Sequence, residues 1–454
     1  PSLPRCSMSV PAADDPTSRA DGTSRANFDD VRITHTALTW SVDFARQVIS
    51  GSVTHTARVS KNGVRSLVLD ARSLVLGKAF VDGAAAEYIV SGEHEALGVG
   101  LSIALPPGLR AGNDIKVRVE YETTPEGAAL QWLTKEMTAG KKHPYLFTQC
   151  QAIHARSLLP CQDSPAVKAT YSAKVTVSGG LVAVMSAVMT KQRQSFGSSL
   201  FEFEQKVAVP SYLIALAVGN LTSRPLGGST RCAVWSEPEM VEAGAYEFAE
   251  TETSLQTAEK LLGPYVWGRY DILLLPPSFP YGGMENPCMT FVTPTLLAGD
   301  RSLADVVIHE QIHSWCGNLV TSATWSHFWL NEGFTMYCQR RVVARLRGEE
   351  SAELDASLGQ QHLDDAVAGY ADSAPEFTQL CPVLKDRDPD DAFSSIPYEK
   401  GFNLLYYLMT VVGSKAAFDE FLRAYIDNFA HKSITSDDFK QFFLGYFASR
   451  STKG

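Results

Sequence analysis

The chain has 454 residues, 45% of them hydrophobic and 20% charged, with a formal net charge of -10. This is the make-up of an ordinary globular protein, with length for roughly two to four domains. Its acidic balance argues against a nucleic-acid-binding face, and no run of about 18 apolar residues suggests a membrane span.

The eight cysteines are scattered, with no C-x-x-C pair and no tight framework spacing. They read as reduced thiols of a cytoplasmic protein. Residues 1–27 hold Ser, Ala, Arg and Asp around a doubled T-S-R-A and contain no apolar stretch of the kind a signal peptide needs. Asp14 and Asp15 count against a transit peptide, so a disordered leader is expected over 1–27.

From about Val31 to Val218 the dominant period is two. Ile115, Val117, Val119 and Tyr121 alternate with Lys116, Arg118 and Glu120, and Tyr171 to Val177 and Phe201 with Phe203 repeat the pattern. Pro106-Pro107-Gly108 and Gly179-Gly180 punctuate the runs, which together predict an antiparallel β domain. A Gly/Ser/Pro-rich stretch, Leu221 to Thr230, marks a boundary, and beyond it helical periodicity dominates around a strand-like run, Tyr270 to Leu275. Phe402, Leu405, Leu408 and Met409 share one helical face that Gly413 can stop. Phe418, Phe421, Leu422 and Tyr425 form the next stripe, and Thr435 with Asp437 and Asp438 predicts the N-cap of a last helix.

Several segments carry candidate chemistry. In Y-G-G-M-E-N-P, Tyr281 to Pro287, one carboxylate, Glu285, follows Gly282, Gly283 and Met284. Glycines there admit positive φ and close approach of a ligand, although the turn taken alone reads as a surface feature with a solvated glutamate. Within D-V-V-I-H-E-Q-I-H-S-W, His309 and His313 lie four apart and so share one face of a helix, with Glu310 beside the first. Two imidazoles so placed bind one Zn²⁺, and the glutamate between them can reach a water on it. Glu332, in W-L-N-E-G-F-T-M-Y at the start of a second amphipathic helix, faces the pair if the two helices pack side by side and then serves as third ligand. The reaction class is metal-assisted hydrolysis of an amide, with Glu310 moving the proton from water to the leaving amine. By spacing alone Tyr398 reads as a partly buried core tyrosine, Asp390 as part of a plain Asp-Pro-Asp-Asp turn, and Gln149 and Gln151 as ordinary hydrogen-bonding residues.

Four segments together resemble the leukotriene A-4 hydrolase family of gluzincin aminopeptidases: Y-L-F-T-Q-C-Q-A-I-H (145–154), the Tyr281 turn continuing to Asp300, the H-E-x-x-H helix, and S-S-I-P-Y-E-K-G (394–401). The resemblance runs from about residue 31 to 448. It implies a multidomain α+β protein: a saddle-like N-terminal antiparallel β domain (28–221), a thermolysin-like zinc metallopeptidase domain (222–454), and a C-terminal helical domain expected to be missing from this chain. It also implies one Zn²⁺ per chain on His309, His313 and Glu332, with Glu310 as general base and Tyr398 as the tyrosine that stabilises the tetrahedral oxyanion. Glu285, supported by Gln149 and Gln151, matches the glutamate that binds a substrate's free α-amino group, which selects chain ends of short peptides. The family's second activity, epoxide hydrolysis of an epoxy fatty acid, draws on an aspartate at the position of Asp390. Phe393, however, stands where the vertebrate hydrolase has a tyrosine, and the absent domain supplies the basic residues for the lipid carboxylate. Aminopeptidase activity is therefore the expected core function, with epoxide hydrolysis conditional on a longer complete protein and an apolar patch expected where the further domain docks.

Overall fold

The fold is described from a computed structural model covering residues 20–451. Residues 1–19 of the expected leader lie outside the described residues. Residues 20–27 depart from the expectation of disorder: Asp21 and Thr23 are buried, and Ser24 Oγ donates to Asp70 (2.6 Å). The guanidinium of Arg156 donates to Thr23 O at 2.9 Å, so this polar segment is held by charged partners far away in sequence.

An eight-stranded sheet dominates the first half. Its strands run, in spatial order, Val188–Ser195, Ser198–Val209, Ala169–Ser178, Val31–Asp43, Val48–Val59, Asp114–Thr123, Leu74–Val81 and Ala84–Ala86. Ile115, Val117, Val119 and Tyr121 are buried while Lys116 and Arg118 are exposed, which is the period-two pattern made physical. The pairings are antiparallel with one exception: Val31–Asp43 and Ala169–Ser178 run parallel, His35 opposite Thr170. Parallel neighbours need a long crossover, and here the intervening chain supplies four further strands of the same sheet, all of a three-stranded sheet and two strands of a four-stranded one. The four-stranded sheet places Tyr145–Thr148 between Leu216–Gly219 and Leu130–Leu133, so that the chain leaves it at Gln149.

The second half opens on a five-stranded sheet in the order Thr222–Pro225, Cys232–Ser236, Tyr270–Leu274, Met289–Val292 and Gly283–Met284. The central three strands are parallel, and the short edge strand Gly283–Met284 pairs antiparallel with Met289–Val292. Among the described residues eight α-helices belong to this half: α1 (Val241–Glu247), α2 (Thr251–Leu262), α3 (Asp305–His313), α4 (Trp329–Arg347), α5 (Glu349–Tyr370), α6 (Gly401–Val412), α7 (Lys415–Phe429) and α8 (Ser436–Ser451). α6 stops where Gly413 takes the left-handed conformation (φ 75°). Before α8, Thr435 N donates to Asp438 Oδ2 (2.8 Å) and Asp438 N returns a bond to Thr435 Oγ1 (3.2 Å), a reciprocal cap.

α3 packs on α2 and α4, and α4 packs on α6. At the α4–α6 crossing, a Cβ on Gly333 would lie 2.6 Å from Gly401 Cα, so only glycine lets the two backbones meet. Tyr406, Tyr407 and Val411 are exposed on the outer side of α6. Among the described residues every cysteine is a free thiol, and no helix is long and apolar enough to cross a membrane.

Candidate active site

His309 and His313 sit one turn apart on α3, with their Nε2 atoms 3.1 Å from each other. Glu332, in the first turn of α4, brings Oε2 to 3.4 Å and 3.2 Å from those two nitrogens. The outward ring nitrogens are each occupied. His309 Nδ1 meets Gln339 Oε1 at 2.9 Å, and His313 Nδ1 meets the carbonyl oxygen of Cys316 at 2.8 Å. A carbonyl accepts only, so these contacts put the protons on Nδ1 and aim the Nε2 lone pairs inward.

Nothing then donates to Glu332 Oε2, which is buried without a hydrogen-bond partner. Two lone pairs and a bare carboxylate oxygen facing one point fit a cation. Zinc bonds of about 2.0–2.1 Å set tetrahedral ligands about 3.3 Å apart, matching this triangle, and two imidazoles with one carboxylate suit a catalytic Zn²⁺. Burial raises the Glu332 carboxyl, but the positive charge that His313 and His309 carry when protonated outweighs it and holds the group down at about 2, so this oxygen stays anionic whether protons or a cation face it.

Glu285, Glu310 and His313 form a second convergence, all within 4.8 Å. Burial pushes Glu310 up to about 7 against the pull of the two histidines, and burial likewise raises Glu285. Carboxyls raised by burial make poorer cation ligands than Glu332; a raised Glu310 suits proton transfer, while a cation placed against Glu285 favours its charged form.

The edge strand explains how Glu310 and Glu285 come to share a wall. Neither Gly282 nor Gly283 has positive φ, contrary to the reason expected for glycine here. What Gly283 supplies is space, because a Cβ on it would run into the Glu310 carboxylate. Glu285 is 4% exposed rather than solvated, its Oε1 accepting from Gln151 Nε2 (3.2 Å) and its carbonyl from Asn318 Nδ2 (2.8 Å). Gln149 is not among the residues that line the cavity but touches one that does: its Nε2 sits 3.2 Å from Met284 Sδ. The chain turns after Thr148, which parts two glutamines that an extended strand would have kept on one face.

A cavity of about 490 Å³ joins these groups, lined by Gln151, Gly282, Gly283, Met284, both histidines, the three glutamates, Asp390 and Tyr398. Tyr398 lies on a π-helical turn, Ile396–Lys400, just before α6, and its ring stacks on His309 with centroids 6.0 Å apart. It is half-buried, and burial together with the nearby carboxylates pushes its phenol well up, which keeps it a donor. Asp390 reaches the cavity wall and pairs with His154 Nε2 at 2.7 Å. Phe393 packs edge-on against both Tyr281 and Tyr398.

His154, Asn318, Thr335 and Gln339 support the site without having been singled out by sequence. Gln339 carried a signal, since it follows Glu332 by seven residues and so lies two turns along the same face of α4. The others act through contacts between segments remote in sequence.

A β-rich first half joined to an α+β second half with an H-E-x-x-H helix and a glutamate from the next helix defines a metallopeptidase. Two family models match the chain, the Peptidase M1 N-terminal domain over residues 32–213 and the Peptidase family M1 domain over 246–449. The chain belongs to peptidase family M1 and is an enzyme of that zinc metallopeptidase class. It is 48% identical to leukotriene A-4 hydrolase of Xenopus laevis over 435 residues, covering 95% of this chain and 71% of that one. It is 44% identical to leucine aminopeptidase 2 of Yarrowia lipolytica, covering 94% of this chain and 66% of the relative. The chain thus spans about two thirds of these relatives' lengths. Yeast LTA4 hydrolase in complex with bestatin superposes with a TM-score of 0.90 at 41% identity, over 95% of this chain and 67% of that chain. The M1 zinc metallopeptidase of Deinococcus radiodurans shares the fold, with a TM-score of 0.75 at 23% identity over 93% of this chain and 94% of that one.

Proposed function

We propose that the chain is a zinc aminopeptidase that hydrolyses the N-terminal peptide bond of short peptides, built from a β domain at 28–221 and a catalytic domain at 222–454. The reading rests on one observation above all: Glu285, 4% exposed, shares a cavity wall with Glu310 and the His309–His313–Glu332 triad. In this reading the triad holds one Zn²⁺ per chain, which when bound supplies Lewis acidity toward a peptide carbonyl and a water.

The remaining steps belong to the side chains. Glu310 takes a proton from the attacking water and returns it to the departing amine, a task suited to a carboxyl raised to about 7. The Tyr398 phenol donates to the oxygen that becomes negative in the tetrahedral species. Glu285 forms a charge-assisted bond with the substrate's α-ammonium, steadied by Gln151, while Gln149 contacts the neighbouring Met284. Gly282 and Gly283 leave the edge strand open to an extended peptide backbone.

Asp390 on the cavity wall supports a second reading, hydrolysis of an epoxy fatty acid, for a protein extended as its relatives are. Cytoplasmic residence accords with the free thiols, and the lack of a nucleic-acid partner with the acidic charge of -10. The test is hydrolysis of an amino-acid 4-nitroanilide before chelation, after chelation, and after restoring zinc. Activity that survives full removal of the metal overturns the reading.

A further inference from the structure

We infer that Gln339 is a positioning residue for the metal centre: its amide oxygen fixes the tautomer and ring orientation of His309. The inference rests on the zinc reading of the triad given above.

The two histidines are oriented by different kinds of group. His313 is 2% exposed and faces a backbone carbonyl, that of Cys316, which also accepts from Thr335 Oγ1 at 3.0 Å. The nearer partner of His313 is therefore backbone, although the Thr335 hydroxyl also lies 3.1 Å from its Nδ1. His309 is more open, 14% exposed at the side chain, and its Nδ1 has one partner, Gln339 Oε1 at 2.9 Å. Gln339 itself is 7% exposed.

An amide offers a donor and an acceptor, and only the acceptor serves ligation. With Oε1 toward the ring, His309 carries its proton on Nδ1 and turns the Nε2 lone pair to the point that Glu332 Oε2 and His313 Nε2 also face. With the amide reversed, the proton would move to Nε2 and the ring could not ligate. Because Gln339 and Glu332 lie seven residues apart on α4, one helix supplies both a ligand and the group that orients a second ligand. The orienting group is neutral, so Glu332 brings the only negative charge of the set to the ion.

The test measures zinc affinity directly, by competition with a chromophoric chelator, for the wild-type protein, Gln339→Met and Gln339→Glu. Methionine keeps the length and removes the acceptor; glutamate keeps the acceptor and removes the donor. The expected result is zinc held about 10–100-fold more weakly by Gln339→Met and at least as tightly as wild type by Gln339→Glu. Urea unfolding of the metal-free forms checks that each variant folds. Equal affinity of wild type and Gln339→Met, or equal weakening in both variants, overturns the inference, the second outcome reducing Gln339 to a packing residue. A wild-type protein that binds no zinc instead defeats the metal reading itself.

Discussion

Arg340 and Glu399 form a two-pronged ion pair in the interior, Nη1 to Oε2 at 2.8 Å and Nη2 to Oε1 at 3.0 Å, with the side chains only 5% and 6% exposed. Arg340 lies on α4, two turns beyond Glu332, and Glu399 directly follows Tyr398. The pair therefore ties the turn carrying the candidate oxyanion donor to the helix carrying the candidate third ligand. Arg340→Met strands a buried carboxylate, so the expected cost is about 3–5 kcal/mol, read as a fall in the urea midpoint of the metal-loaded protein. The double variant Arg340→Met/Glu399→Met removes the stranded charge and is expected to recover part of that loss.

Glu310 and His313 separate chemistry from metal binding. Glu310→Gln keeps the side chain's shape and cannot accept the proton, so turnover is expected to fall by roughly 10²–10⁴-fold with zinc content unchanged. His313→Ala removes a proposed ligand, and its zinc content after dialysis is expected to fall with its activity. Metal analysis beside a steady-state assay distinguishes the two.

The neighbouring glycines of the edge strand have different tolerances. A Cβ at Gly283 collides with the Glu310 carboxylate, whereas one at Gly282 meets its nearest neighbour, Val306 Cγ1, at 3.6 Å, an ordinary contact. Gly283→Ala is expected to displace the Glu310 carboxylate, the proposed proton carrier, and lower kcat by roughly 10²-fold with the fold intact. Gly282→Ala is expected to change kcat little, and equal loss in the two variants would contradict the steric account.

His55 gives the β domain a defined response to acid. It is fully buried, with Nε2 2.8 Å from Pro160 O and Nδ1 3.1 Å from Thr36 Oγ1, and burial holds its pKa down at about 4. An unfolded histidine titrates near about 6.5, so between those values the unfolded chain binds the extra proton and stability rises with pH. The contribution is complete above pH 6.5 and is lost as pH falls to about 4, amounting to about 3 kcal/mol. Urea midpoints at pH 7 and pH 4.5 are expected to differ less for His55→Gln than for wild type.

The sequence was most legible where the signal is periodic and local. The four-residue spacing of His309 and His313, the stripe after Glu332, and the alternation at Ile115–Tyr121 each report a helix or strand that forms as read. Features set by distant partners were not legible. Residues 20–27 look disordered until Asp70 and Arg156 are brought to them, and the parallel pairing of Val31–Asp43 depends on a strand more than a hundred residues on. Gln149 and Gln151 are two apart and look equivalent, yet beyond the strand end at Thr148 one meets Met284 and the other Glu285. Glu285 was recoverable only through the family motif, because nothing in Y-G-G-M-E-N-P alone says that its carboxylate is buried.

The central claim is that Glu285 makes this metal site count from a free amino terminus. The direct measurement compares kcat/KM of the zinc-loaded protein for one short peptide amide with a free and with an N-acetylated amino end. The account predicts cleavage of the free peptide, near-complete loss on acetylation, and a much smaller preference for the free end in Glu285→Ala. Equal cleavage of the free and acetylated peptides by the wild-type protein would contradict it.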